Sequence, residues 1–234
     1  MAKGKVIEMQ HIFLFLLLFF LFTGSTWVES VQIEDSNSPY DFDYGNIQRV
    51  LSILFGIILT RFVSIIVNAV NEPKRFKYSF CYKLVLFFTL QTVIFAWFSS
   101  SKVYGAFDSK PIPSILMFLA HMLVVLMLEI ILPPQKLLDS SELIDLAKVY
   151  SSQVNKFLVF MIIQGVIYFL NMNFLVPEFW ERVQPDEVRR KILVIFYPVM
   201  TIIIPSLLII DKNHIRHNIF WIVWNFYFLY AYFI

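Results

Sequence analysis

A single cysteine, Cys81, is all the thiol chemistry in the sequence, so an intrachain disulfide and a cysteine-based metal cluster are both excluded. Charge is scarce as well. Only 15% of the 234 residues are charged, and a net charge of +2 supplies no basic stripe for nucleic acid. No glycine-rich phosphate loop, no serine or cysteine nucleophile beside a base and no cluster of metal ligands is present. These absences argue against an enzyme and against a cofactor.

What fills the sequence instead is apolar. Hydrophobic residues make up 59% of the chain, 26 of them phenylalanine, and the mean hydropathy is +0.70. A water-soluble domain does not carry that composition. Six apolar stretches follow one another, near 46–70, 84–99, 112–132, 157–176, 192–210 and 219–234. A helix needs about 20 apolar residues to cross a hydrocarbon core, and helices or closed barrels alone satisfy their backbone there. The runs are too long and too uniform for alternating barrel strands. The predicted fold class is therefore all-α, a polytopic transmembrane helix bundle of six spans, with the lipid bilayer as its first partner.

Residues 1–28 are predicted to be a signal peptide or a signal anchor: Lys3 and Lys5 precede the apolar run Ile12 to Phe22, and small residues follow it. Residues 29–45 form an acidic tail with Glu29, Glu34, Asp35, Asp41 and Asp43 and no basic residue. With that tail outside, cytosolic loops of the 46–234 domain hold nine Lys or Arg and external segments six. This positive-inside bias places both termini of the mature chain outside.

Ionisable side chains within spans cost about 2.5 to 3.5 kcal/mol each on insertion scales, so each calls for a partner or a purpose. Arg61 lies in the first span and His121 and Glu129 in the third. From the helical rise, Arg61 falls about 10 Å inside the cytosolic boundary, Glu129 about 5 Å, and Gln91 and Gln164 about 10 Å. The expectation is an Arg61–Glu129 ion pair buttressed by Gln91 and Gln164, with Arg61 snorkelling to lipid phosphate as the structural alternative. His121 is deeper, about 16 Å from the edge, either a neutral histidine bonded to a neighbouring helix or a proton carrier. Asn171 and Asn173 are placed near interfacial water.

Other local features carry expectations of their own. Asp139 and Glu142 resemble a capping box ahead of Leu143, Leu146, Ala147, Tyr150 and Val154, which predicts either an interfacial amphipathic helix or an extension of the fourth span. Pro198 and Pro205 predict a kink in the fifth span. The aromatic-rich last span, from Trp221 to Phe233, is expected to touch lipid and anchor the chain. His214, Arg216 and His217, beside Asp211, read as an ordinary basic loop.

Leu51 to Ser64, Leu-Ser-Ile-Leu-Phe-Gly-Ile-Ile-Leu-Thr-Arg-Phe-Val-Ser, resembles the first helix of a family of uncharacterised bacterial multi-pass membrane proteins. The shared features are a glycine, short aliphatics, Thr-Arg and a second helix ending in aromatics, here Trp97 and Phe98. The exported leader departs from that pattern. The resemblance implies a six-helix protein of the bacterial inner membrane and assigns no activity. Two functions stay open: a non-enzymatic membrane component that partners other proteins or itself, and a transporter of a small anion or proton-coupled solute using Arg61 with Glu129 or His121.

Overall fold

A computed structural model describes residues 44–105, 110–176, 187–211 and 213–233. The segment expected to be a signal peptide or signal anchor and nearly all of the acidic tail lie outside these residues. The described chain is almost entirely helical. In order it forms α1 (Tyr44–Asn71), a 3₁₀ turn and β1 (Phe76–Lys77), α2 (Phe80–Gly105), α3 (Pro111–Ile131), α4 (Gln135–Asp139), β2 (Ile144–Asp145) and α5 (Leu146–Leu170). A π turn, Asn171–Leu175, extends α5; then come α6 (Glu187–Pro198), a second π turn (Val199–Ile203), α7 (Ile204–Ile210) and α8 (His214–Phe233).

Among the described residues, three helical segments are long and apolar enough to cross a membrane: Arg49–Asn71, Pro111–Asp139 and Leu146–Leu175. Phe80–Ala96 and Val194–Ile210 are apolar but shorter. The outward faces are also apolar. Val50, Ile53, Ile57, Val63 and Val67 are exposed on α1, and Ile215, Ile219, Val223 and Phe226 on α8. Surface of that kind is unfavourable in water and costs nothing against lipid tails.

On the inner face of α1, Leu51, Phe55, Ile58, Phe62, Ile65 and Ala69 are buried at alternating spacings of four and three, the seam a supercoiled helix pair presents. That seam packs on α3 and α2. The most extensive packing joins α3 to α5; α8 lies against α2, and the second π turn and α7 lie against α5. Gly165 makes the last approach possible, since a Cβ there would stand 2.6 Å from Thr201 Oγ1.

Proline sets the helix ends and bends. α3 opens with Pro111 in its first turn and stops before Pro133 and Pro134, which have no N–H to continue it. The predicted disturbance of the fifth span takes the form of the π turn between Pro198 and Pro205, closed by the Ile204 N–H donating to the Val199 carbonyl. Proline at 205 cannot donate to the preceding turn, and the wider turn accommodates that loss.

The Asp139–Glu142 capping box does not form. Asp139 ends α4 and accepts from Gln135 Nε2 at 2.8 Å, whereas Asp145 caps α5 by accepting from the N–H groups of Ala147 and Lys148. The segment from Leu146 is a continuous extension of the fourth span, with Leu146, Val149, Tyr150 and Val154 buried and Leu143 exposed. β1 and β2 pair in parallel, Phe76 with Ile144 and Lys77 with Asp145, and tie the α1–α2 connection to the α3–α5 connection.

Candidate functional site

The two charges set within apolar helices meet. Arg61 on α1 and Glu129 on α3 form an ion pair through Nη1 and Oε1, and Arg61 Nη2 donates to the Pro133 carbonyl at 3.0 Å. The second bond has a simple cause. Carbonyls at a helix C-terminus have no intrahelical donor and carry the negative end of the helix dipole, so a guanidinium there is favoured by charge and by hydrogen bonding. Arg61 thus fastens α1 to the end of α3. Its side chain is 22% exposed and that of Glu129 43%, which makes this a half-buried pair at the bundle margin.

Gln164 turns away from it. Gln164 is buried and hydrogen-bonded to Tyr168 one turn along its own helix. Gln91 is buried on α2. Equal depth does not imply an equal face: the layer inferred from helical rise splits into an α1–α3 margin and an interior set centred on Tyr168. His121 belongs to the interior set, fully buried, with its Nε2 3.2 Å from the Tyr168 hydroxyl and the two rings edge-on at 6.2 Å.

Asn171 is also buried, not solvated as expected. Its Nδ2 donates to the Pro113 carbonyl at 2.9 Å, joining the π turn after α5 to the start of α3. Asn173 Nδ2 donates to the Phe169 carbonyl of its own helix.

Sequence reasoning missed the most completely bonded polar group. Tyr150 on α5, His217 and Trp221 on α8 and Cys81 on α2 are all buried together. The Tyr150 hydroxyl lies 2.8 Å from His217 Nδ1, Trp221 Nε1 donates to that hydroxyl at 2.9 Å, and the Cys81 thiol is hydrogen-bonded to it. His217 Nε2 is 2.8 Å from the Asp211 carbonyl. A carbonyl only accepts, so Nε2 carries a proton, and the tyrosine oxygen accepts from Trp221. These bonds link α8 to α5. His217 is therefore an interior residue and not part of a solvated basic loop.

Trp221 and Trp224 likewise face the core, not lipid. Both are 1% exposed or less, and Trp221 packs among Phe88, Phe157 and Phe220, edge-to-face with the last two. Phe226 on the opposite side of α8 is exposed, as the anchoring expectation requires. Trp224 stacks on Tyr227 at 5.2 Å and 8°. A legible cue existed: Phe220, Trp221 and Trp224 recur at helical spacing with His217, marking one face of α8.

Arg75 is the other residue whose role was hidden behind simple loop charge. It pairs with Glu72 at 2.8 Å and donates to the carbonyls of Leu137, Leu138 and Glu142, closing the end of α4. Nearby, Lys77 pairs with Asp145 at 2.7 Å. That hydrogen bond, helped by the Lys148 and Ala147 N–H groups, holds the Asp145 carboxyl below its ordinary range.

Among the described residues, no three His, Cys, Asp or Glu side chains gather as a metal site. Chemically, the arrangement fixes helices to one another through charge-assisted and neutral hydrogen bonds. Comparison with models of protein families, with curated proteins and with solved structures finds no match to this chain.

Proposed function

We propose that this protein is a six-span component of a bacterial inner membrane, without an enzymatic centre, that acts as a rigid partner for other membrane or cytosolic proteins. The observation that supports the reading is how the polar groups of its helices are used. Arg61 bonds to Glu129 and Pro133, His121 to Tyr168, Asn171 to Pro113, and Asn225 Nδ2 to the Leu84 carbonyl at 3.1 Å. Each bond joins two different helices or a helix to a connection, as a scaffold needs; a transport path instead keeps polar groups facing a cavity.

In this reading α2, the α6–α7 rod and α8 complete the six crossings, and both ends of the mature chain are external. The connections 72–79 and 132–145 then lie on the cytosolic side, where Arg75 and the Lys77–Asp145 pair bind them together. Lys77 is exposed there and is a target for amine-reactive crosslinking.

Crosslinking in native membranes is expected to recover a specific protein joined through Lys74, Lys77, Lys136 or Lys148. Proteoliposomes carrying the purified chain are expected to show no solute flux above leak across a panel of anions and proton-coupled solutes. Saturable flux that disappears in Arg61→Ala, with the variant still folded, overturns the scaffold reading in favour of transport.

A further inference from the structure

The Tyr150 hydroxyl has three polar neighbours and a single proton to give. Trp221 Nε1 donates to it at 2.9 Å, His217 Nδ1 lies 2.8 Å away, and the Cys81 thiol is hydrogen-bonded to it. An indole N–H can only donate. A histidine ring nitrogen and a thiol can each stand on either side of a hydrogen bond, so two of the three bonds can run in either direction. From this geometry we infer that His217 is a proton switch: it takes up a second ring proton with the network closed, and the uptake reverses the hydrogen bond between Tyr150 and Cys81.

The two states balance bond by bond. With His217 neutral, Nε2–H donates to the Asp211 carbonyl, the Tyr150 hydroxyl donates to Nδ1, and the tyrosine oxygen accepts from Trp221 and from the Cys81 S–H. With a proton added from solvent, Nδ1–H donates to the tyrosine oxygen, and the hydroxyl turns to the Cys81 sulfur, which now accepts. Trp221 and the Asp211 carbonyl keep their roles. Tyr150 gives one bond and accepts two in both states, and a separation of 2.8 Å suits either direction. Heavy atoms stay in place while the ring gains one charge.

A charge at a residue only 4% exposed needs a countercharge. The titratable and charged groups about His217, among the described residues, are Tyr150 on α5, Cys81 on α2, Asp211 at the end of α7, and His214 and Arg216 on α8 itself. Asp211 is the countercharge. The Asn213 N–H first, and the Arg216 guanidinium next, hold its carboxyl below the ordinary range, so it is ionised wherever a histidine titrates and attracts a charged His217. Arg216 opposes the proton by like charge, but its side chain is 69% exposed and already paired with Asp211.

The switch depends on neither the scaffold nor the transport reading. Its test is infrared spectroscopy of the full chain in detergent across a pH titration, beside nuclear magnetic resonance of its ¹⁵N-labelled histidines. Cys81 is the single cysteine, so one S–H stretching band reports the network. That band is expected to move to higher frequency at the midpoint of the His217 titration, because the thiol stops donating. His217→Gln should abolish the transition, and His214→Gln, at an exposed position, should leave it in place. Cys81→Ala strands the Tyr150 O–H in the charged state alone, so the His217 midpoint should fall by about one pH unit, the cost of one unmade buried hydrogen bond. Cys81→Ser supplies a donor and an acceptor and should return it. Circular dichroism identifies the folded variants that are scored, and the wild-type band needs none of them. An S–H band that stays fixed through the His217 titration, a His217 that keeps one proton until the chain unfolds, or a midpoint unchanged in Cys81→Ala overturns the proposal. So does a transition that survives in His217→Gln.

Discussion

Arg61 with Glu129 and Tyr150 with His217 are both polar contacts across helices of an apolar bundle, yet they solve the problem of a polar group in that solvent in opposite ways. The first keeps its charges and stays at the margin, with both side chains partly exposed. The second is buried and closed, running from Trp221 through Tyr150 and His217 to the Asp211 carbonyl. A charged pair needs nearby polarisable surroundings to offset desolvation; a buried hydrogen-bonded chain offsets it with its own bonds. The margin can therefore exchange partners, whereas the interior network fixes one packing of α8 on α5.

The largest expected effect breaks the interior side. Trp221→Ala removes a fully buried ring and the donor to Tyr150, so it should cost about 3 to 5 kcal/mol in reversible unfolding in mixed micelles. Trp221→Phe keeps most of the ring and loses the donor, which should cost less. If both variants unfold like wild type, the network does not hold α8.

The margin is weaker and more instructive. Arg61→Gln should cost about 1 to 3 kcal/mol, reduced from a fully buried pair by its exposure. Reversing the charges, Arg61→Glu with Glu129→Arg, should restore only part of that stability. A glutamate at position 61 can face an arginine but cannot donate to the Pro133 carbonyl. Full recovery in the unfolding assay shows that the helix-end bond contributes nothing, and recovery no better than either single variant removes the pairing energy.

The smallest effect lies outside both, at Lys77–Asp145, and calibrates them as an exposed pair. Because Asp145 is held below its ordinary range, first by the Lys77 hydrogen bond, its contribution is present above the unfolded carboxyl value of about 4. It is lost as pH falls through the lower folded value. Acid titration of unfolding should show this slope in wild type and not in Asp145→Asn. The same slope in both variants disproves the assignment.

The two polar regions differ also in how far they could be read from residues alone. Arg61 and Glu129 stand out because a charge in an apolar run is conspicuous, and helical rise places them within reach of each other. Gln91 and Gln164 share their depth, but rise says nothing about azimuth, and Gln164 turns to Tyr168 instead. Tyr150, Trp221 and Cys81 count as hydrophobic in any composition, so their donors and acceptors are invisible until α2, α5 and α8 are packed. Asp139 with Glu142 matched a capping-box pattern, yet Asp145 caps the helix, whose start at Leu146 follows directly on the β1–β2 pairing.

By itself, the sequence determined the helical class, apolar runs long enough to cross a membrane and two isolated charges set within them, because apolar run length and isolated charge are local properties. Only the tertiary structure decided which face of each helix looks inward, that Trp221 and Trp224 belong to the core, and that Arg61 closes the end of α3. Those outcomes depend on contacts between residues as much as 141 positions apart, as in Asn225 and Leu84. No local pattern carries that information, since it arises from packing rotations that burial and hydrogen bonding select together.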